Sequence, residues 1–157
     1  MTDRPHLALG EYLPFLVNRV GSALAVRFAE DALVRHGLTI VMWRALAVLA
    51  DRGARRQIDL AEETSIEVST LSRLVTRLVR MGLVTRRRSA ASQREVTVEL
   101  TRKGSVMVER LVPVAIGYEA LAVAGLSARD LAVVKRALRR MHENMVRSTR
   151  RSGAADR

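Results

Sequence analysis

Between Val68 and Met81 the chain carries serines, threonines and arginines at helical spacing and not one carboxylate. Ser69, Thr70, Ser72, Arg73, Thr76 and Arg77 fall opposite Val68, Leu71, Leu74, Val75 and Leu78. That is an amphipathic helix, expected to turn its apolar stripe inward and its polar face outward. Hydroxyl groups bond phosphates or base edges, and an arginine guanidinium pairs bidentately with guanine. A face that is only solvated ordinarily mixes both signs of charge. A second basic group follows within twenty residues: Arg86, Arg87 and Arg88, then Gln93 and Arg94. Residue types and spacing together point to a polyanion, with double-stranded nucleic acid first.

The charge distribution agrees. The 157 residues carry a formal net charge of +11. Residues 1–72 are close to neutral, with 8 arginines against 9 acidic residues. Residues 73–103 hold 9 basic residues against Glu95 and Glu99, and residues 135–157 hold 8 against 2. The positive charge is therefore focused in one internal block and one terminal one, which composition bias alone does not explain. There is no cysteine, so disulfides, thiolate metal sites and thiol redox chemistry are excluded. Aromatic residues make up 3%, too few for the ring platforms that hold single strands. The opening residues lack a basic segment followed by an apolar one, so no secretory signal is expected and the location is expected to be cytoplasmic. The longest weakly charged stretch, from Leu111 to Leu126, contains Glu119 and falls short of the roughly 20 residues a membrane span needs.

The elements that must position these groups follow from periodicity. Leu13, Leu16, Val17, Val20, Leu24, Phe28 and Leu33 predict a helix within Gly10–His36, stopped by Gly37. Thr39 is a candidate cap for a second helix that ends at Gly53. A basic link, Arg52 to Arg56, leads to a short helix over Ile58–Thr64. The turn Ser65–Ile66–Glu67 precedes the polar-faced helix, which stops at Gly82. The period then changes from 3.6 to 2: Leu83–Val84 opens one strand running to Arg88, and Val96, Val98 and Leu100 alternate with Thr97, Glu99 and Thr101 in another. A two-stranded hairpin with a basic tip is the expectation. Thr101 should cap a long helix kinked at Pro113. Ser127–Asp130 has capping-box spacing ahead of a last helix, whose Leu131, Val134, Leu138, Met141 and Met145 form a short heptad-like seam suited to a partner helix. Beyond Arg147 the pattern stops.

A short helix, a turn, a polar-faced helix and a basic hairpin form a helix-turn-helix followed by a wing, the arrangement that places its second helix in the major groove. Here the sequence resembles the MarR family of winged helix-turn-helix regulators. The resemblance covers nearly the whole chain: Leu38–Thr39 with Trp43, Ser69-Thr70-Leu71-Ser72-Arg73-Leu74-Val75, and Met81-Gly82-Leu83-Val84-Thr85-Arg86. The family pattern Asp-x-Arg-x-x-x-Leu-x-Leu-Thr reads here Ser92-Gln93-Arg94-Glu95-Val96-Thr97-Val98-Glu99-Leu100-Thr101. Ser92 stands where the family has an Asp that helps hold the wing, and Ser65 where a helix-turn-helix often has Gly, which suggests a slightly different turn.

The resemblance implies a mainly α fold with a small β-hairpin wing and dimerisation helices from both chain ends. Residues 1–36 would form an N-terminal dimerisation arm, 37–101 the DNA-binding domain, 102–148 the C-terminal dimerisation helices and 149–157 a basic disordered tail. It implies a homodimer on a palindromic DNA site, acting as a repressor. Arg94 at the wing tip would enter the minor groove, with Arg86–Arg88 flanking it; strand alternation leaves one of those three a bystander. It further implies a small aromatic or anionic effector, for which Tyr12, Arg19, His36 and Trp43 are candidates, although Trp43 equally suits a core position. No cofactor or metal is expected, since His6, His36 and His142 share no ligand spacing, and no phosphate loop or nucleophile elbow marks an enzyme. Two other readings stay open: a nonspecific protein coating DNA, and a membrane-surface or interaction module built on the basic last helix.

Overall fold

A computed structural model describes residues 6–88 and 95–155. Its contacts divide the chain into a unit ending at Glu119 and a second beginning at Ala120. The first unit is mainly helical, with a small antiparallel sheet. Helix α1, Leu13–Phe28, opens with Pro14 in its first turn. It runs on without interruption through a π turn, Ala29–Leu33, and a 3₁₀ turn, Val34–His36. The extra residue per turn rotates the face of the helix, and Phe28, Ala32 and Leu33 all become buried. Gly37, at φ +66°, ends it, with its N–H bonded to the Val34 carbonyl at 2.9 Å.

Helix α2, Ile40–Arg52, starts under the Thr39 hydroxyl, which accepts from the Met42 N–H at 3.3 Å, and stops at Gly53. The expected basic link then contains a strand. Arg55–Arg56 forms β1, paired antiparallel with Val98 and Thr97. The sheet therefore has three strands in the order β1-β3-β2, not the two of the expected hairpin. Two residues are too few to show alternation, and their pairing uses only backbone groups.

Helix α3, Gln57–Thr64, and helix α4, Val68–Arg80, are joined by Ser65, the one described non-glycine residue with positive φ. At φ 54° and ψ 38° it takes the left-handed conformation for which glycine is usually chosen. The expected change of turn is absent: serine accepts the glycine geometry, at roughly 1–2 kcal/mol for the crowded Cβ.

Strands β2, Val84–Arg88, and β3, Val96–Leu100, pair in the register Val84↔Leu100 to Arg88↔Val96. Thr101 then caps α5, Arg102–Ala122, accepting from the Gly104 N–H at 3.0 Å and donating to the Gly82 carbonyl at 2.7 Å. A Cβ on Gly104 would stand 2.0 Å from the Leu83 carbonyl oxygen, so only glycine lets α5 approach the turn after α4 so closely. The helix passes through Pro113. The core gathers Leu33, Met42, Leu46, Leu60, Leu71 and Leu78 with residues of β2, β3 and α5, all close to fully buried.

In the second unit, α6 spans Ala128–Ala155. The Ser127 hydroxyl accepts from the Asp130 N–H at 3.1 Å and donates to the Asp130 carboxylate at 2.6 Å. The helical backbone continues past Arg147 to Ala155, although the polar composition of residues 149–157 predicts a disordered tail. Among the described residues no single helix is long and apolar enough to cross a membrane.

Candidate nucleic-acid interface

Helix α4 buries Leu71, Val75 and Leu78 completely, half-buries Leu74, and leaves Ser69, Thr70, Arg73 and Arg77 exposed. Val68, expected on the apolar stripe, is 47% exposed, on the rim of a cleft with Gln57, Ile58 and Val96. Ser72 and Thr76 are half-buried. The Thr76 hydroxyl turns into the helix and donates to the Ser72 carbonyl at 2.9 Å. Arg73 makes no hydrogen bond or ion pair among the described residues. Arg77 reaches the Gly37 carbonyl at 3.3 Å, tying the middle of α4 to the end of the first helical stretch.

The three arginines of β2 separate by strand alternation. Arg86 shares the inward side of the strand with buried Val84 and donates to the Ser72 carbonyl at 2.7 Å. Its guanidinium braces β2 against α4. Arg87 points the other way and pairs with Glu99 at 2.6 Å, where the Thr85 hydroxyl also donates at 3.2 Å. A cation already neutralised is less available to a phosphate, so Arg87 fits the bystander position. Arg88 ends the strand opposite Val96. Ser92, Gln93 and Arg94 lie outside the described residues.

Two features escaped the residue pattern. Arg56 bonds both oxygens of Asp59 at 2.8 Å and reaches Glu95 at 3.4 Å, joining β1 and α3 to the base of the wing. These bonds raise the Arg56 pKa and lower that of Asp59. Glu67 is the second. Its carboxylate caps α4, accepting from the Thr70 N–H at 2.9 Å and from the Ser69 hydroxyl through the same oxygen. The hydrogen bond from Ser69, followed by those of the first-turn backbone, lowers its pKa to about 2. A cap from Glu has a weak sequence signal, since Ser, Thr, Asp and Asn dominate that position.

The proposed effector residues are not gathered around one cavity. Trp43 meets Phe28 edge-on at 5.2 Å, and Phe28 meets Tyr118 at 6.2 Å. The Tyr118 hydroxyl donates to Asp31 in the π turn, a bond that raises the Tyr118 pKa. His36 is half-buried in the 3₁₀ turn. Arg19 lies over the Phe15 ring at 5.6 Å, and Tyr12 precedes α1. These two stand about 13 and 24 Å from Phe28 along the helix at 1.5 Å per residue. A cleft of about 620 Å³ between α2, β3 and α5, with Glu99 and Glu109 on its wall, is lined by none of the four. Phe28, Tyr118 and Asp31 were missed because they are distant in sequence and meet only through packing. Among the described residues no group of three or more His, Cys, Asp or Glu side chains converges as a metal site would need.

Comparison with known proteins places this geometry among relatives. A model described as the MarR family matches residues 36–95, the stretch from the end of the 3₁₀ turn into the wing. The HTH-type transcriptional repressor NicR of Pseudomonas putida is 29% identical over 104 residues, 66% of each chain. That match spans just under two thirds of the curated relative's length. Among solved structures, a MarR family transcriptional regulator from Silicibacter pomeroyi is 30% identical, with a TM-score of 0.80, covering 87% of this chain and 91% of that one. Bordetella bronchiseptica BpsR, whose DNA binding is regulated by 6-hydroxynicotinic acid, is 26% identical with a TM-score of 0.73, covering 82% of this chain and 97% of its own.

Proposed function

The chain belongs to the MarR family, and from that premise we propose that it is a homodimeric, sequence-specific regulator of transcription. It binds double-stranded DNA in the cytoplasm, represses, and is released by a small-molecule ligand; it is not an enzyme. The observation that carries this reading is the outer face of α4. Ser69, Thr70, Arg73 and Arg77 are exposed there with no carboxylate among them, and Arg73 has no protein partner among the described residues. Arg73 is assigned to a base edge, Thr70 and Arg77 to base edges or phosphates, and Arg94 to the minor groove, where narrow A·T-rich segments attract arginine. Ser72 and Thr76 act through the helix, and Arg86 through its brace on the Ser72 carbonyl.

Two-fold symmetry would set the paired α4 helices about 34 Å apart, one turn of DNA, and makes the site palindromic. Apolar side chains left exposed on α1 (Leu13, Val17 and Val20) and on α6 (Val134 and Leu138) supply surface for the second copy. The names of NicR and BpsR direct attention to aromatic acids as effectors. The ring cluster of Phe28, Trp43 and Tyr118 is the place in this chain with matching chemistry.

Fluorescence anisotropy over a salt series, with DNA from beside the protein's own gene against scrambled DNA, tests the reading. A preference of about 10³-fold or more near physiological salt is the expected result. Equal binding that collapses with salt would mean counterion release alone and a nonspecific DNA-coating protein. Arg73→Ala should relax the preference by about 1–3 kcal/mol while leaving the circular dichroism unchanged.

A further inference from the structure

The first turn of α4 is capped by its own carboxylate, Glu67. Helix N-termini commonly hold phosphate through free N–H groups, but here the Thr70 N–H and the Ser69 hydroxyl are both committed to Glu67 Oε2. Val68, which completes the turn, is apolar and exposed. Of the side chains of this turn, the Thr70 hydroxyl is left as the donor to DNA. The turn offers an acceptor as well: Glu67 is exposed, and both of its hydrogen bonds, from Ser69 and Thr70, fall on Oε2, leaving Oε1 toward solvent. Capping alone needs no residue of this length, since shorter side chains do it better.

In the major groove of DNA, the hydrogen-bond donors on base edges are the exocyclic amino groups of cytosine N4 and adenine N6. We infer that Glu67 is a specificity-determining residue of the DNA interface, accepting a hydrogen bond through Oε1 from the amino group of one base per half-site and repelling phosphate elsewhere. This inference rests on the reading of α4 as the DNA-binding helix. The carboxylate acts twice. Where an amino group meets it, the contact is charge-assisted; on unrelated sequence, where a phosphate or a carbonyl edge comes close, the same charge opposes binding. The hydrogen bonds from Ser69 and Thr70 hold the carboxylate ionised at any pH at which the protein works, so the discrimination does not titrate away.

The test is selection from a DNA pool with randomised half-sites, followed by anisotropy on the selected and scrambled duplexes, for the wild-type protein, Glu67→Gln and Glu67→Ser. Glutamine keeps an oxygen to cap the helix but carries no charge; serine keeps the cap and loses the reach. The wild type is expected to select cytosine or adenine at one position of each half-site. Both variants should lose that preference at that position alone, lowering discrimination there roughly 5- to 150-fold, while their binding to scrambled duplex rises. A wild-type preference that both variants reproduce at every position overturns this inference and leaves the DNA-binding reading standing. A wild type that selects no sequence overturns both.

Discussion

Helices α4 and α6 are both amphipathic and both basic, yet the chain treats them in opposite ways. In α4 the stripe of Leu71, Val75 and Leu78 is wholly buried by α2, α3, β2 and their neighbours, so its polar face is held at a fixed angle on a rigid base. In α6 no described side chain is buried, and Val134, Leu138 and Met141 remain 38–43% exposed. Hydrophobic periodicity is the same signal in each. What differs is whether the helix's own unit supplies the other half of the contact. A stripe that its own chain covers builds a tool, and one left open asks for a second molecule.

The sharpest way to break the winged half lies outside both helices. Gly104→Ala would drive a Cβ to within 2.0 Å of the Leu83 carbonyl oxygen unless α5 withdrew. A cost of about 3 kcal/mol or more is expected, at the severe end of single substitutions. Thermal denaturation should show a melting temperature lower by about 6–12 °C for a chain of this size. Truncation within the stripes tests the contrast directly. Leu71→Ala should cost about 2–5 kcal/mol in denaturant titrations, by the same amount at every protein concentration. Leu138→Ala should cost little in dilute solution and act on self-association, read as weaker dimerisation by sedimentation velocity. A concentration-independent loss for Leu138→Ala would mean that α6 is covered within its own chain. The smallest effect concerns the charge on the first turn of α4. Ser69→Ala removes the main cause of the low Glu67 pKa, so the carboxyl midpoint, followed by NMR, should rise from about 2 toward the ordinary 4.5. Because the folded pKa is the depressed one, the cap contributes fully above about pH 4.5 and is lost as pH falls through about 2 in the wild type. In the variant it is lost at higher pH.

Where a feature depended on repeating local pattern, the sequence was a good guide. The stripe of α4, the stops at Gly37, Gly53 and Gly82, and the caps at Thr39, Thr101 and Ser127 all follow from spacing and turn chemistry. Strand β1 was hidden because a two-residue strand has no period. Ser65 looked like a departure because the left-handed conformation is usually read from glycine, and a serine there leaves no trace. The site was legible as a face but not as a set of roles. Alternation predicted that one of Arg86, Arg87 and Arg88 would be diverted; only the positions of Ser72 and Glu99 show Arg86 acting as a brace and Arg87 as a paired ion. Glu67 lies one residue outside the acid-free stretch, where the residue pattern shows only a turn and not a cap. The ring cluster joins positions 28, 43 and 118, a separation no periodicity spans.

That cluster has an optical consequence. Trp43 is the chain's only tryptophan, so all of its indole emission comes from the point where Phe28 meets it edge-on. Tyr118 meets the same phenyl ring at 6.2 Å, well within the range over which an excited phenol passes its energy to an indole. The protein thus contains a built-in, single-site fluorescent reporter. Anything that slips between these rings, or that shifts the π turn beneath them, registers as a change in colour or yield without a label.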